Sequence, residues 1–312
     1  MPTVLLSGGT GMVGQQLTKQ LRARGYEVII LTRNIPSSPS ADAGIRYARW
    51  SVKDQQIDID AVRAADYVIH LAGAGVVDKR WTPAYKQEIL TSRTASAQLL
   101  VDTVRQHHLR IKAWVNASAI GWYGPDPVHP PTGWQGFTEE APAHTDYLGE
   151  TCAAWEASTY PAEALGIRTV RLRIGIVLSS TGGALAEFVK PIRFGIAGVL
   201  GSGNQMISWI GVQDLCRMFI HAMENESMQG SYNAVAPQPV SNRTLTLTLA
   251  KHLKGNWFIP MPVPAFVLNI MLGESSIEVL KSTTVSAQKI TDTGFQFMAP
   301  DIRSCIEAEL PR

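Results

Sequence analysis

Residues Leu5 to Gly14 run Leu-Leu-Ser-Gly-Gly-Thr-Gly-Met-Val-Gly, an apolar stretch that breaks into glycines and then resumes as a helical pattern. Glycines 9, 11 and 14 give the spacing Gly-x-Gly-x-x-Gly, and Gly8, Gly11 and Gly14 give a looser version of it. Such a turn leaves backbone N–H groups that no Cβ covers, and the following helix offers the positive end of its dipole. Together they accept a pyrophosphate. Glycine turns also serve as plain loops, so the flanking pattern decides between the two. Thr3 to Ser7 is a short run of strand formers. Val13, Leu17 and Leu21 share one face of a helix from Gly11 to Arg24, which Gly25 ends. The start of the chain therefore reads as strand, nucleotide turn and helix.

The second apolar run, Glu27 to Thr32, ends in Arg33, nineteen residues beyond Gly14. Selection of NAD usually places an acid near this point, to accept hydrogen bonds from the ribose 2′-hydroxyl. A guanidinium instead binds a 2′-phosphate through charge-assisted bonds. Arg33, with the Thr32 hydroxyl and Asn34 beside it, points to NADP(H). The competing reading is a solvated arginine just past a strand.

Further strands are expected at Arg46 to Trp50, Ala65 to Gly73, Lys112 to Ser118 and Arg168 to Ile174. Helices are expected at Pro83 to His108 and Glu150 to Leu165. Strands alternating with helices imply an α/β, Rossmann-like, doubly wound parallel sheet. Small residues closing the fourth strand suit a nucleotide pressed against the sheet edge. Residues 1–175 form the nucleotide-binding domain in this reading, with the chain crossing back between lobes up to about 240. Residues 176–255 supply a smaller substrate lobe. Residues 256–312, entered through Pro260, Pro262 and Pro264, form a mostly helical C-terminal appendage. Between Gly124 and Asp146 lie five prolines and two further glycines, and so long a segment is expected to be a loop over a site.

The remaining composition mostly excludes. At 312 residues and 45% apolar content the chain can bury a large core. A formal charge of +2, with no basic run, gives no reason to expect nucleic acid. The longest apolar stretch, Val263 to Leu272, is too short to span a bilayer. Cys152, Cys216 and Cys305 are scattered and odd in number, so reduced thiols in a cytoplasmic protein are expected, and no metal site. The start of the chain shows no signal-peptide pattern.

Taken together, these segments resemble the extended and atypical branch of the short-chain dehydrogenase/reductase superfamily, the epimerase/dehydratase-like proteins. The resemblance rests on the glycine turn, His70-Leu-Ala-Gly73, Asn116-Ala-Ser-Ala-Ile-Gly-Trp-Tyr-Gly124, Gly201-Ser-Gly-Asn-Gln205 and Trp209-Ile-Gly-Val-Gln-Asp214. A subgroup with a small C-terminal domain of unassigned function is marked by Arg80-Trp81, Tyr85-Lys86, Ser92-Arg93, Trp155-Glu156, Gly182-Gly183, Leu272-Gly-Glu274 and Thr293-Gly-Phe295. The resemblance implies NADP(H) held by Gly8, Gly11, Met12, Val13, Thr32, Arg33, Leu71, Ala72 and Gly73, with Glu88, Arg93 and Val177 added by position. Arg93 also has a physical rationale, because a helix arginine flanking the groove neutralises phosphate charge.

The superfamily usually works through a tyrosine followed four residues later by lysine, whose ammonium lowers the phenol pKa. None of the eight tyrosines here has that lysine, and no lysine occurs between Lys112 and Lys190. Registering on Trp155-Glu156 puts Leu148 and Cys152 in the two places, and registering on Tyr147 puts Thr151 in the lysine place. Ser118 and Tyr147 remain as catalytic candidates, with Lys86 and Arg93 as sources of positive charge from the facing helix. Trp122, Trp134 and Trp209 read equally as an aromatic pocket or as packing between lobes. The expected function is an NADP(H)-dependent oxidoreductase acting on an unknown small molecule. A non-catalytic NADP(H)-binding regulator or scaffold is the alternative, and a nucleotide-sugar epimerase or dehydratase a further one. Both monomer and homodimer stay open.

Overall fold

The structure is a computed structural model and describes residues 1–38 and 40–311. Its strands are β1 (Thr3–Ser7), β2 (Glu27–Thr32), β3 (Ile45–Ser51), β4 (Gln56–Ile57), β5 (Tyr67–His70), β6 (Ala113–Ala119), β7 (Arg168–Ile174), β8 (Ile176–Ser179), β9 (Ile196–Leu200), β10 (Met206–Ile207), β11 (Trp209–Gly211), β12 (Gly230–Ala234), β13 (Val240–Ser241) and β14 (Ile259–Val263). Its helices are α1 (Met12–Ala23), α2 (Ile59–Arg63), α3 (Pro83–Gln106), α4 (Tyr147–Ala157), α5 (Tyr160–Ala164), α6 (Gly183–Arg193), α7 (Val212–Glu224), α8 (Asn242–Lys254), α9 (Ala265–Leu272), α10 (Ser276–Leu280), α11 (Gln288–Asp292) and α12 (Ile302–Glu309).

Eight strands form one sheet in the order β12-β7-β6-β5-β1-β2-β3-β4, parallel except at the β3–β4 edge. Alternation along the buried strands feeds both faces. Val4, Leu6, Val28 and Ile30 pack with Leu17 and Leu21 of α1 and Leu215 and Phe219 of α7. Leu5, Ile29, Val68 and Trp114 pack on the other side with Val62 of α2 and Leu100 and Val104 of α3. Each fully buried aliphatic side chain is worth about 1.5–3 kcal/mol of transfer free energy, so these two layers carry most of the sheet's stability. From β1 the chain winds outward through β2 and β3, then returns to place β5 on the opposite side of β1. The resulting crevice at the strands' carboxyl ends is where this topology binds ligands.

A smaller lobe is built from the pairs β8–β11, β10–β13 and β9–β14. They cover a separate core of Leu185, Ile192, Trp209, Leu245, Leu249 and Ile306. The architecture is the expected Rossmann-like sheet with a smaller lobe and a C-terminal helical region. Two local expectations change. The helix expected from Glu150 to Leu165 is two helices, starting at Tyr147, where the Asp146 side chain accepts from Gly149 N at 2.8 Å. It breaks at Ser158–Thr159, where both side chains turn back onto the carbonyls of Trp155 and Glu156, and Pro161 then opens α5. The proline run is not only a connector, since Ile259–Val263 pairs in parallel with Ile196–Leu200. An edge strand needs only alternate N–H groups, so Pro260 and Pro262 are tolerated there. Among the described residues no helix is long and apolar enough to cross a membrane.

Candidate functional site

The crevice is shaped first by its glycines. Gly8 adopts φ +72°, and a Cβ there would stand 2.9 Å from the Leu71 carbonyl carbon. At Gly14 a Cβ would meet the Gly8 oxygen at 2.2 Å, so only glycine lets the turn cross the first helical turn so closely. Gly11 N donates to Gly8 O at 3.1 Å and closes the turn. No side chain caps α1 and no acid occupies its first turn. The amides of Met12 and Val13 therefore face the crevice with the helix dipole uncompensated. The cradle fits a pyrophosphate.

At the end of β2 the Thr32 hydroxyl donates to Asn34 O at 3.0 Å and receives Asn34 N at 3.3 Å, so it shapes the turn. Arg33 is exposed beside it, and among the described residues it has no carboxylate partner. Leu71, Ala72 and Gly73 follow β5. Leu71 N bonds Ser7 O at 3.2 Å, and Ala72 N bonds Ser7 Oγ at 3.3 Å. Behind them His70 is buried between Ser7 Oγ at 2.5 Å and Ser96 Oγ at 3.0 Å, and burial pushes its pKa down to about 4. It ties β1, β5 and α3 together as a neutral ring.

Arg93 of α3 lies under this segment. A Cβ at Gly73 would come 3.0 Å from its Cζ, and its guanidinium donates to the carbonyls of Ala74 and Ile89, each at 2.9 Å, against the Trp155 ring at 4.8 Å. Burial lowers its pKa, and among the described residues no carboxylate pairs with it. A buried guanidinium without a counter-ion is suited to an anionic or oxygen-rich ligand. Glu88 faces solvent on the same helix and pairs with Lys79 at 3.5 Å. Val177 sits on β8. The adjoining Gly182–Gly183 loop reaches Met12, since a Cβ at Gly183 would meet Met12 Cε at 3.4 Å. The smaller lobe thus closes over the start of α1.

The two catalytic candidates occupy different surroundings. Ser118 is 1% exposed and donates to Glu156 Oε1 at 2.8 Å. Glu156 in turn accepts from Arg173 Nε at 2.8 Å, Arg173 Nη2 at 3.1 Å and Ser231 Oγ at 2.9 Å. Arg173 also donates to the Tyr123 hydroxyl at 3.0 Å and lies 3.7 Å from the Trp122 ring centroid. The serine hydroxyl is thereby committed to a strut between β6, β7, β12 and α4.

Tyr147 opens α4, half-buried. Its hydroxyl donates to the Lys86 carbonyl at 2.9 Å, its ring lies 5.0 Å from Lys86 Nζ, and Trp81 packs edge-on at 5.1 Å. Burial, the largest effect, raises the phenol pKa, while Arg93 acts in the opposite sense. Lys86 Nζ also reaches Glu274 at 2.5 Å, a residue of the C-terminal segment. Sequence reasoning does not place Glu274 beside Lys86. The conjunction Leu-Gly-Glu around Glu274 was the sole sequence signal available for it.

The tryptophans resolve as packing. Trp209 is wholly buried in the smaller lobe, Trp122 stacks on Arg173 and donates to Ala141 O, and Trp134 packs edge-on to Phe137. All three thiols are buried and free, and burial pushes each pKa up to about 12. Among the described residues no cluster of three metal-ligating side chains occurs.

Comparison with known proteins agrees with this geometry. The model of the NAD dependent epimerase/dehydratase family matches residues 4–234, and that of a domain of unknown function, DUF1731, matches residues 263–309. An epimerase family protein of Staphylococcus haemolyticus is 36% identical over 311 residues, covering 98% of each chain. The human epimerase family protein SDR39U1, solved with NADPH, superposes with TM-score 0.83 at 28% identity over 98% of each chain. A nucleoside-diphosphate sugar epimerase from Corynebacterium glutamicum superposes with TM-score 0.77 at 30% identity, over 99% of this chain and 58% of that one. The uncovered amides behind Gly8 and Gly14, the crevice between β1 and β5, and the match over residues 4–234 place the chain in the NAD dependent epimerase/dehydratase family.

Proposed function

We propose that the protein binds NADP(H) across the carboxyl ends of β1, β2 and β5 and reduces a carbonyl of a small molecule, with Tyr147 as proton donor. The observation that carries the reading is the uncapped α1 behind Gly8 and Gly14, with Arg33 rather than an acid at the end of β2. The human relative solved with NADPH supports the same choice. In this reading Gly8, Gly11, Met12 and Val13 hold the pyrophosphate, and Arg33, positioned by the Thr32 turn, holds the 2′-phosphate. Leu71, Ala72 and Gly73 lie along the dinucleotide, with Arg93 beneath them and Val177 facing from the smaller lobe. Glu88, turned outward to Lys79, takes no part.

NADP(H) when bound supplies a hydride at the nicotinamide ring. The chain's own task is then the proton. A phenol whose pKa is raised by burial stays protonated at neutral pH, so Tyr147 suits donation to a nascent alkoxide better than abstraction, and the reductive direction is favoured. Arg93, whose charge acts to lower the Tyr147 pKa, steadies the phenolate left behind. For this the hydroxyl must turn away from the Lys86 carbonyl. The reading includes a cytoplasmic location, supported by three free buried thiols, and a substrate that is a small molecule rather than nucleic acid, supported by the near-neutral charge.

A second reading, an NADP(H)-binding regulator without turnover, is favoured by one observation. Both candidate hydroxyls are already engaged, Ser118 with Glu156 and Tyr147 with Lys86. A nucleotide-sugar epimerase has the Corynebacterium relative in its favour, but Met206-Ile-Ser-Trp209 offers no arginine for sugar-nucleotide phosphates.

Following the absorbance of NADPH with a panel of aldehydes and ketones separates these readings. Turnover is expected, and Tyr147→Phe should lower kcat by about 10²-fold or more. Turnover undiminished in that variant rejects Tyr147 as the donor. Tight NADPH binding with no turnover on any carbonyl selects the regulator.

A further inference from the structure

The smaller lobe ends in a tip that the nucleotide motifs do not use. Helices α6 and α8 pack on each other and on β9, and they finish together. Phe194 and Gly195 follow α6 at once, and Gly255, Asn256 and Trp257 follow α8. Ile259 N donates to Gly195 O at 2.8 Å, which fastens the two turns to each other where the β9–β14 ribbon begins. Phe194 is 85% exposed and Trp257 87%. Ile196 and Ile259, opposite each other in register, and Met261 two residues on are exposed too, whereas Ala197 and Val199 are buried. Alternation thus gives the ribbon an inner face on the core and an outer apolar face continuous with the two rings. Contiguous apolar surface of this kind marks a contact site.

The tip is also basic. The last turn of α6 carries Lys190 and Arg193, and that of α8 carries Lys251 and Lys254. Lys190 pairs with Glu187 at 2.7 Å, and among the described residues the other three have no carboxylate partner. No Asp or Glu occurs from Phe188 to Gln213 or from Ser227 to Gly273, although these segments hold five Lys and Arg. With a formal charge of +2 in all, the rest of the chain is net acidic. A helix dipole accounts for cations in a last turn, but not for two bare aromatic rings beside them.

Two features argue against a second copy as the occupant. A two-fold contact would set like charges against each other. Nor can β14 extend the ribbon into another chain. Ile259 N points to β9, so positions 260 and 262 point outward, and both are proline, which has no N–H to offer. A nucleic acid would meet the cations and leave Ile196, Ile259 and Met261 unmatched. An acidic bilayer takes both halves of the surface. Its headgroup region holds tryptophan, its acyl boundary holds aliphatic side chains, and its phosphates attract cations.

We infer that the smaller lobe docks reversibly on an anionic phospholipid surface through Phe194, Trp257 and the outer face of β9–β14, with Arg193, Lys251 and Lys254 toward the lipid phosphates. Such a contact needs no spanning helix. It stands independently of the NADP(H) reading.

Sedimentation of the full chain with vesicles tests it, using equal parts phosphatidylcholine and phosphatidylglycerol against phosphatidylcholine alone. The anionic vesicles should bind the protein at least about tenfold more tightly than the neutral ones, and added salt should release it. Lys251→Gln with Lys254→Gln should weaken binding about thirtyfold, the worth of two cations near such a surface. Phe194→Ser with Trp257→Ser should weaken it about tenfold or more, and Trp257→Phe alone should keep most of it. These side chains lie at the surface, so both double variants should keep the wild-type Tm. Failure to bind anionic vesicles, equal binding to both lipids, or undiminished binding in either double variant overturns the inference. A dimer on gel filtration that F194S/W257S dissolves also overturns it, because a second copy then covers the tip.

Discussion

Glu156→Gln should destabilise the protein by about 3–5 kcal/mol, the range for breaking a buried ion pair by removing one partner. The carboxylate is 1% exposed and receives four donors: two from Arg173, itself 4% exposed, and one each from Ser118 and Ser231. A neutral amide keeps the shape but presents one acceptor and two donors where four donors converge. The guanidinium is then left buried, uncompensated and facing an N–H group. For 312 residues, an unfolding entropy of about 2.1 cal/mol/K per residue converts this loss to a fall in Tm of roughly 5–8 °C. Differential scanning calorimetry reads it directly. Arg173→Met alone should cost a similar amount, whereas Glu156→Leu combined with Arg173→Met should cost less than the two singles summed, because the double removes both charges. A Glu156→Gln protein melting within 1 °C of wild type would refute the claim that this pair struts the carboxyl ends of β6 and β7.

Two further outcomes follow from buried titratable groups. The His70 pKa is pushed down to about 4 in the folded chain, against 6.5 when unfolded, so between those values the unfolded state binds a proton that the native state refuses. Stability should therefore be full above pH 6.5 and decline below it, by about 2 kcal/mol at pH 5, with His221 adding in the same sense. His70→Asn should flatten that part of the pH–Tm curve, and a curve identical to wild type would contradict the assignment. With thiol pKa values pushed up to about 12, the native protein should react negligibly with a disulfide reagent at pH 8, and the denatured chain should release three equivalents. Rapid reaction of any native thiol would be inconsistent with the buried positions.

The parts of the molecule that sequence foretells are those determined by neighbours in the chain. The β1–turn–α1 unit is legible because glycine spacing and apolar periodicity lie within twenty residues, and β7 is found at its full extent because Arg168–Ile174 is flanked by clear breaks. The split between α4 and α5 escapes because a proline that opens a helix looks, in sequence, like one tolerated near an end. β14 escapes because its prolines argue against a strand and only its edge position excuses them. The closure of the site from the C-terminal side is the largest omission. Lys86 and Glu274 are 188 residues apart, and no spacing rule connects them. Arg171 and Arg173 on the buried strand β7 pair with Glu163 and Glu156, partners that no spacing in the chain disclosed.

Paired calorimetric titrations with NADPH and NADH ask whether the groove is built for a ribose 2′-phosphate. NADPH should bind at least about tenfold more tightly than NADH, as charge-assisted bonds from one guanidinium allow, and Arg33→Ser should bring the two affinities together. Equal affinities in the wild-type protein, or a preference for NADH, would contradict a 2′-phosphate site.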